Sequence, residues 1–257
     1  MKKIGIAGDS FFAPTQDLPT RSDCKDSGGK HFSEILAKKL GYELYPLSRG
    51  ACSNSTIRLQ VSQLVKDKVD FVIYGSTSAG RLEYPNVEKG KNKNYIAELG
   101  IYNFVYDTHP DLSSLNPNFV ENNTHSDTIT NILAGYGPGT NEQKMAIRYY
   151  FNHLFDERFR QIQDAYIISS GVQELIDNKI PFIGLFHDYV NLIPYFQKNN
   201  LRIITSDYSL LPFLYNNMDE ETKTWTTRRY HVSDKNQVVI ANNLCNYINS
   251  NNLLVWS

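Results

Sequence analysis

Three short apolar runs, each stopped abruptly by small or polar residues, fall within the first 75 positions of the chain. Residues 4–7 end in Gly8-Asp9-Ser10, residues 42–47 end in Ser48-Arg49-Gly50, and residues 70–75 read DFVIYG. Continuous apolar runs bounded by turn residues suit strands buried on both faces. Between them lie two stretches with helical spacing. The first carries Phe32, Ile35, Leu36 and Leu40 and is stopped by Gly41; the second carries Ile57, Val61, Leu64 and Val65, with Ser53 or Asn54 as its N-cap. Strand, helix, strand, helix, strand predicts a parallel sheet with right-handed crossovers and helices on its faces.

The pattern lapses after the third strand. Residues 76–140 are rich in Asn, Gly, Pro, Asp and Thr, with only brief apolar pieces such as 96–105. So long an irregular stretch is uncommon inside a compact domain and marks an insertion, a lid or a binding loop. Helical spacing resumes after Asn141 through Met145, Ile147, Tyr150, Phe151, Leu154, Phe155, Phe159, Ile162, Ala165, Ile168 and Val172, as one long helix or two in series. Residues 181–186 read as a fourth strand ending at His187, and 201–204 as a fifth. Residues 234–248 read as a closing amphipathic helix with Val238, Val239, Leu244 and Ile248 inward. The predicted architecture is one doubly wound α/β domain over 1–257, a flavodoxin-like three-layer α/β/α sandwich with residues 76–140 inserted after the third strand.

Composition narrows the function classes. With 257 residues and 41% hydrophobic content the chain can bury a sizeable core and is not of the disordered class. Its 26 Lys+Arg against 27 Asp+Glu give a formal charge of −1, so no global field draws it to nucleic acid or an anionic membrane. No nucleic-acid and no membrane partner is expected, and the composition says nothing about oligomeric state. Cys24, Cys52 and Cys245 form no CxxC pair and suggest neither a disulfide framework nor a zinc site. No metal or organic cofactor is expected. The first apolar run is too short for a secretory signal, and no stretch approaches the roughly 18 apolar residues of a membrane span. The expectation is a soluble, cytoplasmic chain.

In an open parallel sheet, ligands bind beyond the carboxyl ends of the strands. Those ends deliver Gly8-Asp9-Ser10, Gly50, Gly75 to Ser78, and His187-Asp188, while His231 lies three residues before the closing helix. A serine, glycine turns, a hydroxyl-rich turn and a histidine on one rim are the parts of an acyl-transfer site.

Gly8-Asp9-Ser10-Phe11, Gly50, Gly75 and His231 resemble, in order and in position along the fold, the sequence blocks of the SGNH hydrolase superfamily, also called GDSL-type lipases and esterases. The segments Ser48-Arg49-Gly50-Ala51-Cys52-Ser53-Asn54 and His231-Val232-Ser233-Asp234 resemble divergent members found in tailed bacteriophages of marine bacteria. The resemblance implies that Ser10 is the nucleophile and His231 the base that takes its proton, since a serine hydroxyl needs an imidazole within reach. It further implies an oxyanion hole built from the backbone N–H groups of Ser10 and Gly50, and a structural Asp9 whose carboxylate bonds the turn. The implied substrate is a small acyl ester, an O-acetyl group on a carbohydrate above all. A phage-encoded chain would act in the host cytoplasm or the virion.

Two positions depart from the family pattern. Thr77 stands where the third block carries an oxyanion-hole Asn, and its shorter hydroxyl is the candidate third donor of that hole beside Ser10 and Gly50; losing one such donor costs about 10²–10³ in rate. Arg228 stands three residues before His231, where the fifth block carries an Asp; Asp234 and Asp188 are the alternatives for orienting His231. These departures motivate a competing reading, a non-catalytic binding or structural protein that keeps the fold and recognises glycan. A nucleotide or phosphate binder lacks a Gly-rich phosphate loop.

Plainer readings stand beside these. Ser10 is also a turn serine, His231 also a polar residue ahead of a helix capped by Ser233, and Gly50 and Gly75 also turn glycines. His187 reads more simply as a rim residue, and Thr77 and Ser78 equally as turn hydroxyls. Arg81, Arg228 and Arg229 are either solvated surface or an anion-binding rim for a charged sugar or carboxylate. Cys52 reads as a small packed residue. Tyr84, Tyr95, Tyr102 and Tyr106 read as insertion core or as carbohydrate-stacking aromatics. The sequons at Asn54 and Asn122 carry no meaning without secretion.

Overall fold

The computed structural model describes residues 1–9, 11–13, 31–48, 53–79, 145, 149–150, 153–193, 201–206 and 234–256. In chain order the described elements are β1 (Lys3–Ala7), α1 (Phe32–Leu40), β2 (Glu43–Pro46), α2 (Asn54–Lys66), β3 (Phe71–Gly75), α3 (Glu157–Asp177), β4 (Phe182–His187), a short 3-10 helix (Asp188–Leu192), β5 (Ile203–Ser206) and α4 (Asp234–Ser250). The strands form one sheet in the order β2-β1-β3-β4-β5, every pair parallel. This is the doubly wound α/β architecture that the sequence predicts. The predicted insertion lies almost wholly outside the described residues, which resume β3 only as far as residue 79.

Alternation along each strand divides the core into two layers. Ile4, Ile6, Phe71, Ile73, Ile183 and Leu185 point to one face and pack with Phe32, Leu36 and Ala37 of α1 and Ile240, Leu244 and Ile248 of α4. Val72, Tyr74, Phe182 and Phe186 point to the other and pack with Ile57, Val61 and Leu64 of α2 and Ala165, Ile168, Val172 and Leu175 of α3. The strand order reverses direction at β1, which puts α1 and α2 on opposite faces when successive crossovers share one hand.

Local signals set the helix ends. Gly41 closes α1 with φ 72°, a left-handed conformation that glycine adopts without a Cβ clash. Ser53 is the N-cap of α2, its side chain accepting from the Thr56 N–H. Asp156 caps α3 by accepting the Phe159 N–H at 2.6 Å, so the long helical pattern after Asn141 is broken before α3 begins.

One expectation about a face is corrected. Val238 is 37% exposed and Val239 only partly buried, because the inward stripe of α4 runs through Gln237, Ile240, Ala241, Leu244 and Ile248. Leu154 and Phe159 are 75% and 60% exposed and do not join the core. Among the described residues no helix is long and apolar enough to cross a membrane.

Candidate functional site

A parallel sheet with this strand order has its topological switch point between β1 and β3, where the connections leave in opposite directions and open a crevice at the carboxyl edge. Asp9 follows β1 and Ser76, Thr77 and Ser78 follow β3, and Asp9 and Thr77 meet there.

The turn after β1 is held from every side. Asp9 is 2% exposed; its Oδ1 accepts the Phe11 N–H at 3.0 Å, and its backbone carbonyl accepts the Phe12 N–H at 3.0 Å. The Gly8 N–H donates to Gln60 Oε1 of α2 at 2.7 Å. Ser48 Oγ donates to the Phe12 carbonyl at 2.9 Å. His31, 1% exposed, lies 2.9 Å through Nε2 from the Phe11 carbonyl; a carbonyl only accepts, so Nε2 carries the proton and Nδ1 accepts from Ser33. Glu34 Oε2 accepts the His31 N–H at 2.8 Å, completing a capping box that ties α1 to the same turn. The structural role implied for Asp9 is thus observed.

Phe12 fixes the approach of the two strand ends. Its ring lies so close over the backbone that a Cβ at Gly8 would fall 2.5 Å, and one at Gly75 2.2 Å, from ring carbons. Only residues without a side chain fit at both places.

Thr77 differs from its expected role. Its hydroxyl, 1% exposed with the rest of the residue, donates to Asp9 Oδ2 at 2.8 Å, so the proton offered to an oxyanion is committed elsewhere. Its backbone is clamped by Asn54, the first residue of α2: Asn54 Oδ1 accepts the Thr77 N–H at 2.9 Å, and Nδ2 lies 3.0 Å from the Thr77 carbonyl. That amide group also reaches Asp164 Oδ2 of α3 at 2.9 Å and Tyr189 Oη at 2.8 Å. Tyr189 donates its own hydroxyl proton to the Thr77 carbonyl. Burial, aided by the Asp164 carboxylate, pushes the Tyr189 phenol well up, so it acts as a neutral donor. Asp164 is fully buried and pairs with Arg160, Nε to Oδ1 at 3.0 Å. One polar cluster therefore joins α2, α3, the 3-10 helix and the end of β3.

A second pair lies beside it. Ser76 Oγ accepts the His187 backbone N–H at 2.8 Å and lies 3.0 Å from His187 Nδ1. The His187 ring stacks on Tyr189, centroids 5.7 Å apart and planes inclined by 22°.

Asp188 is exposed at the first position of the 3-10 helix. Asp234 is the first residue of α4, with its side chain outside the described residues. Ser10, Gly50, Arg81, Arg228, Arg229 and His231 lie outside the described residues, as do Cys24, Cys52 and the four insertion tyrosines. Cys245 is a free thiol packed at the edge of the α1 and α4 layer. Among the described residues no three His, Cys, Asp or Glu side chains cluster as a metal site.

Comparison of the chain with family models, curated proteins and solved structures returned no match.

Sequence reasoning missed Asn54, Asp164, Tyr189 and Gln60. Asn54 carried a signal, its place four residues after the Gly50 turn, but two local roles, cap and sequon, obscured a third. The other three lie in helical segments and read there as ordinary polar positions.

Proposed function

We propose that the chain is a serine hydrolase of the SGNH type that removes a small acyl group, an O-acetyl on a carbohydrate above all, through an acyl-enzyme on Ser10 with His231 as base. The observation that carries this reading is the pinned turn. Asp9 and Phe11 flank position 10; the Asp9 carboxylate accepts from the Phe11 N–H and from the Thr77 hydroxyl, and the Phe11 carbonyl accepts from His31, at the switch point of the sheet. A nucleophile gains most from a site whose geometry is fixed before substrate arrives. Oxyanion stabilisation in this reading falls to the backbone N–H groups of Ser10 and Gly50.

The test is covalent labelling by a fluorophosphonate, with turnover of p-nitrophenyl acetate and acetylated sugars. Labelling that maps to Ser10 and vanishes in Ser10→Ala is expected. No labelling and no turnover by pure, folded protein would refute the reading.

One observation favours a second reading, a binding protein on the same fold. The Thr77 hydroxyl is engaged by Asp9 and supplies no donor to an oxyanion. Weak labelling with no turnover, alongside retention on a glycan array that survives Ser10→Ala, would select it.

A further inference from the structure

We propose that Thr77 is a positioning residue, the common anchor that sets the spacing between the turn carrying Ser10 and the loop carrying Gly50; that these two backbone N–H groups serve an oxyanion rests on the esterase reading. Thr77 holds two chain segments through different atoms. Its hydroxyl donates to Asp9 Oδ2 at 2.8 Å, and Asp9 immediately precedes Ser10. Its backbone N–H donates to Asn54 Oδ1 at 2.9 Å, and Asn54 Nδ2 donates to its carbonyl at 3.0 Å, four residues after Gly50. Thr77, Asp9 and Asn54 are all buried, so water does not compete for these bonds.

The stretch that carries Gly50 is fastened at its other end as well. The Ser48 N–H donates to the Ile6 carbonyl at 3.0 Å, and Ser48 Oγ to the Phe12 carbonyl at 2.9 Å, in the turn after β1. Only residues 49–52 separate Ser48 from Ser53, the cap of α2. So short a chain between fixed ends has little reach of its own, and displacing either anchor displaces what it carries. Two backbone donors act on one oxygen only when both stand about 2.7–3.1 Å from it. Misplacement by about 1 Å costs on the order of 10²-fold in rate. The Thr77 hydroxyl thus acts on the reaction through Asp9, and not as a donor to the substrate.

The test is kcat and KM for p-nitrophenyl acetate, measured on the full chain at a temperature where far-UV circular dichroism shows each variant folded. Thr77→Val should lower kcat roughly 10–100-fold with KM little changed, and Thr77→Ser, which keeps the bond to Asp9, should retain most of the rate. A Thr77→Val variant with the parent's kcat, or a Thr77→Ser variant as slow as Thr77→Val, overturns the proposal. Asn54→Ala leaves the Thr77 hydroxyl in place and should lower kcat likewise; Asn54→Ser serves if that variant does not fold. Full activity in the Asn54 variant would assign the hydroxyl a direct role and overturn the positioning one. Hydrogen exchange gives a readout that needs no turnover. Relative to β4, Thr77→Val should speed exchange over residues 8–12, and the Asn54 variant over residues 49–56. A segment that does not respond is not held by Thr77, which overturns the proposal. Wild-type protein with no labelling and no turnover removes the esterase reading alone, and hydrogen exchange then decides whether Thr77 anchors both segments.

Discussion

Thr77 donates its hydroxyl proton to the buried Asp9 carboxylate, and that bond joins the end of β1 to the end of β3. Thr77→Val keeps the shape of the side chain and removes one donor from the buried Asp9 carboxylate. The expected cost is about 1–3 kcal/mol, seen as a lower urea midpoint, while Thr77→Ser stays close to the parent. A midpoint unchanged in Thr77→Val would mean the bond contributes nothing. The position of Thr77 was legible in the sequence, because Gly75 closes an unmistakable strand. Its partner was not, since the pairing of a short hydroxyl depends on which strand ends meet in space. The same limit applies to His31 and Phe11, which are twenty residues apart and become neighbours only when α1 docks beside the first turn.

Asn54 works at the scale of elements, because one amide at the start of α2 touches β3, α3 and the 3-10 helix. Asn54→Ala removes the partner of the Thr77 N–H and one donor to the buried Asp164 carboxylate together. The loss should be about 3 kcal/mol by equilibrium unfolding. Asn54→Asp should be worse, since it sets a second carboxylate against Asp164. Equal stability of the two variants would show that charge at this point is indifferent. Helices α1 and α2 were readable almost to the residue, because Gly41 and Ser53 carry their end signals locally. The inward face of α4 was misjudged by one position. Val238 and Val239 are apolar, yet the stripe set by contact with α1 and the sheet includes the polar Gln237, whose Oε1 accepts the Phe32 N–H at 2.8 Å. Periodicity read by hydrophobicity alone passes over such a residue.

For the whole molecule, the number of strands and their parallel arrangement followed from short apolar runs separated by helical patterns. The polar cluster at their edge did not, being assembled from segments as distant as Asn54 and Tyr189. Buried phenols give the folded state a specific alkaline limit. Burial raises the Tyr74 phenol strongly, and the Tyr189 phenol is raised for the same first reason. A group whose folded value lies above the unfolded value of about 10 stabilises the fold fully below that pH, and the contribution is lost as pH rises beyond it. Unfolding free energy should therefore fall from about pH 10 upward, with tyrosinate absorbance appearing together with unfolding, and Tyr74→Phe should flatten the slope. A urea midpoint that stays level above about pH 10 would contradict this. Phe12, finally, makes three positions one heritable unit. Its ring occupies the space that side chains at Gly8 and Gly75 would need, so a lineage can abandon either glycine only after a smaller residue has replaced the phenylalanine. Drift at these positions is ordered in time: the ring must shrink first, and until it does both glycines are closed to substitution.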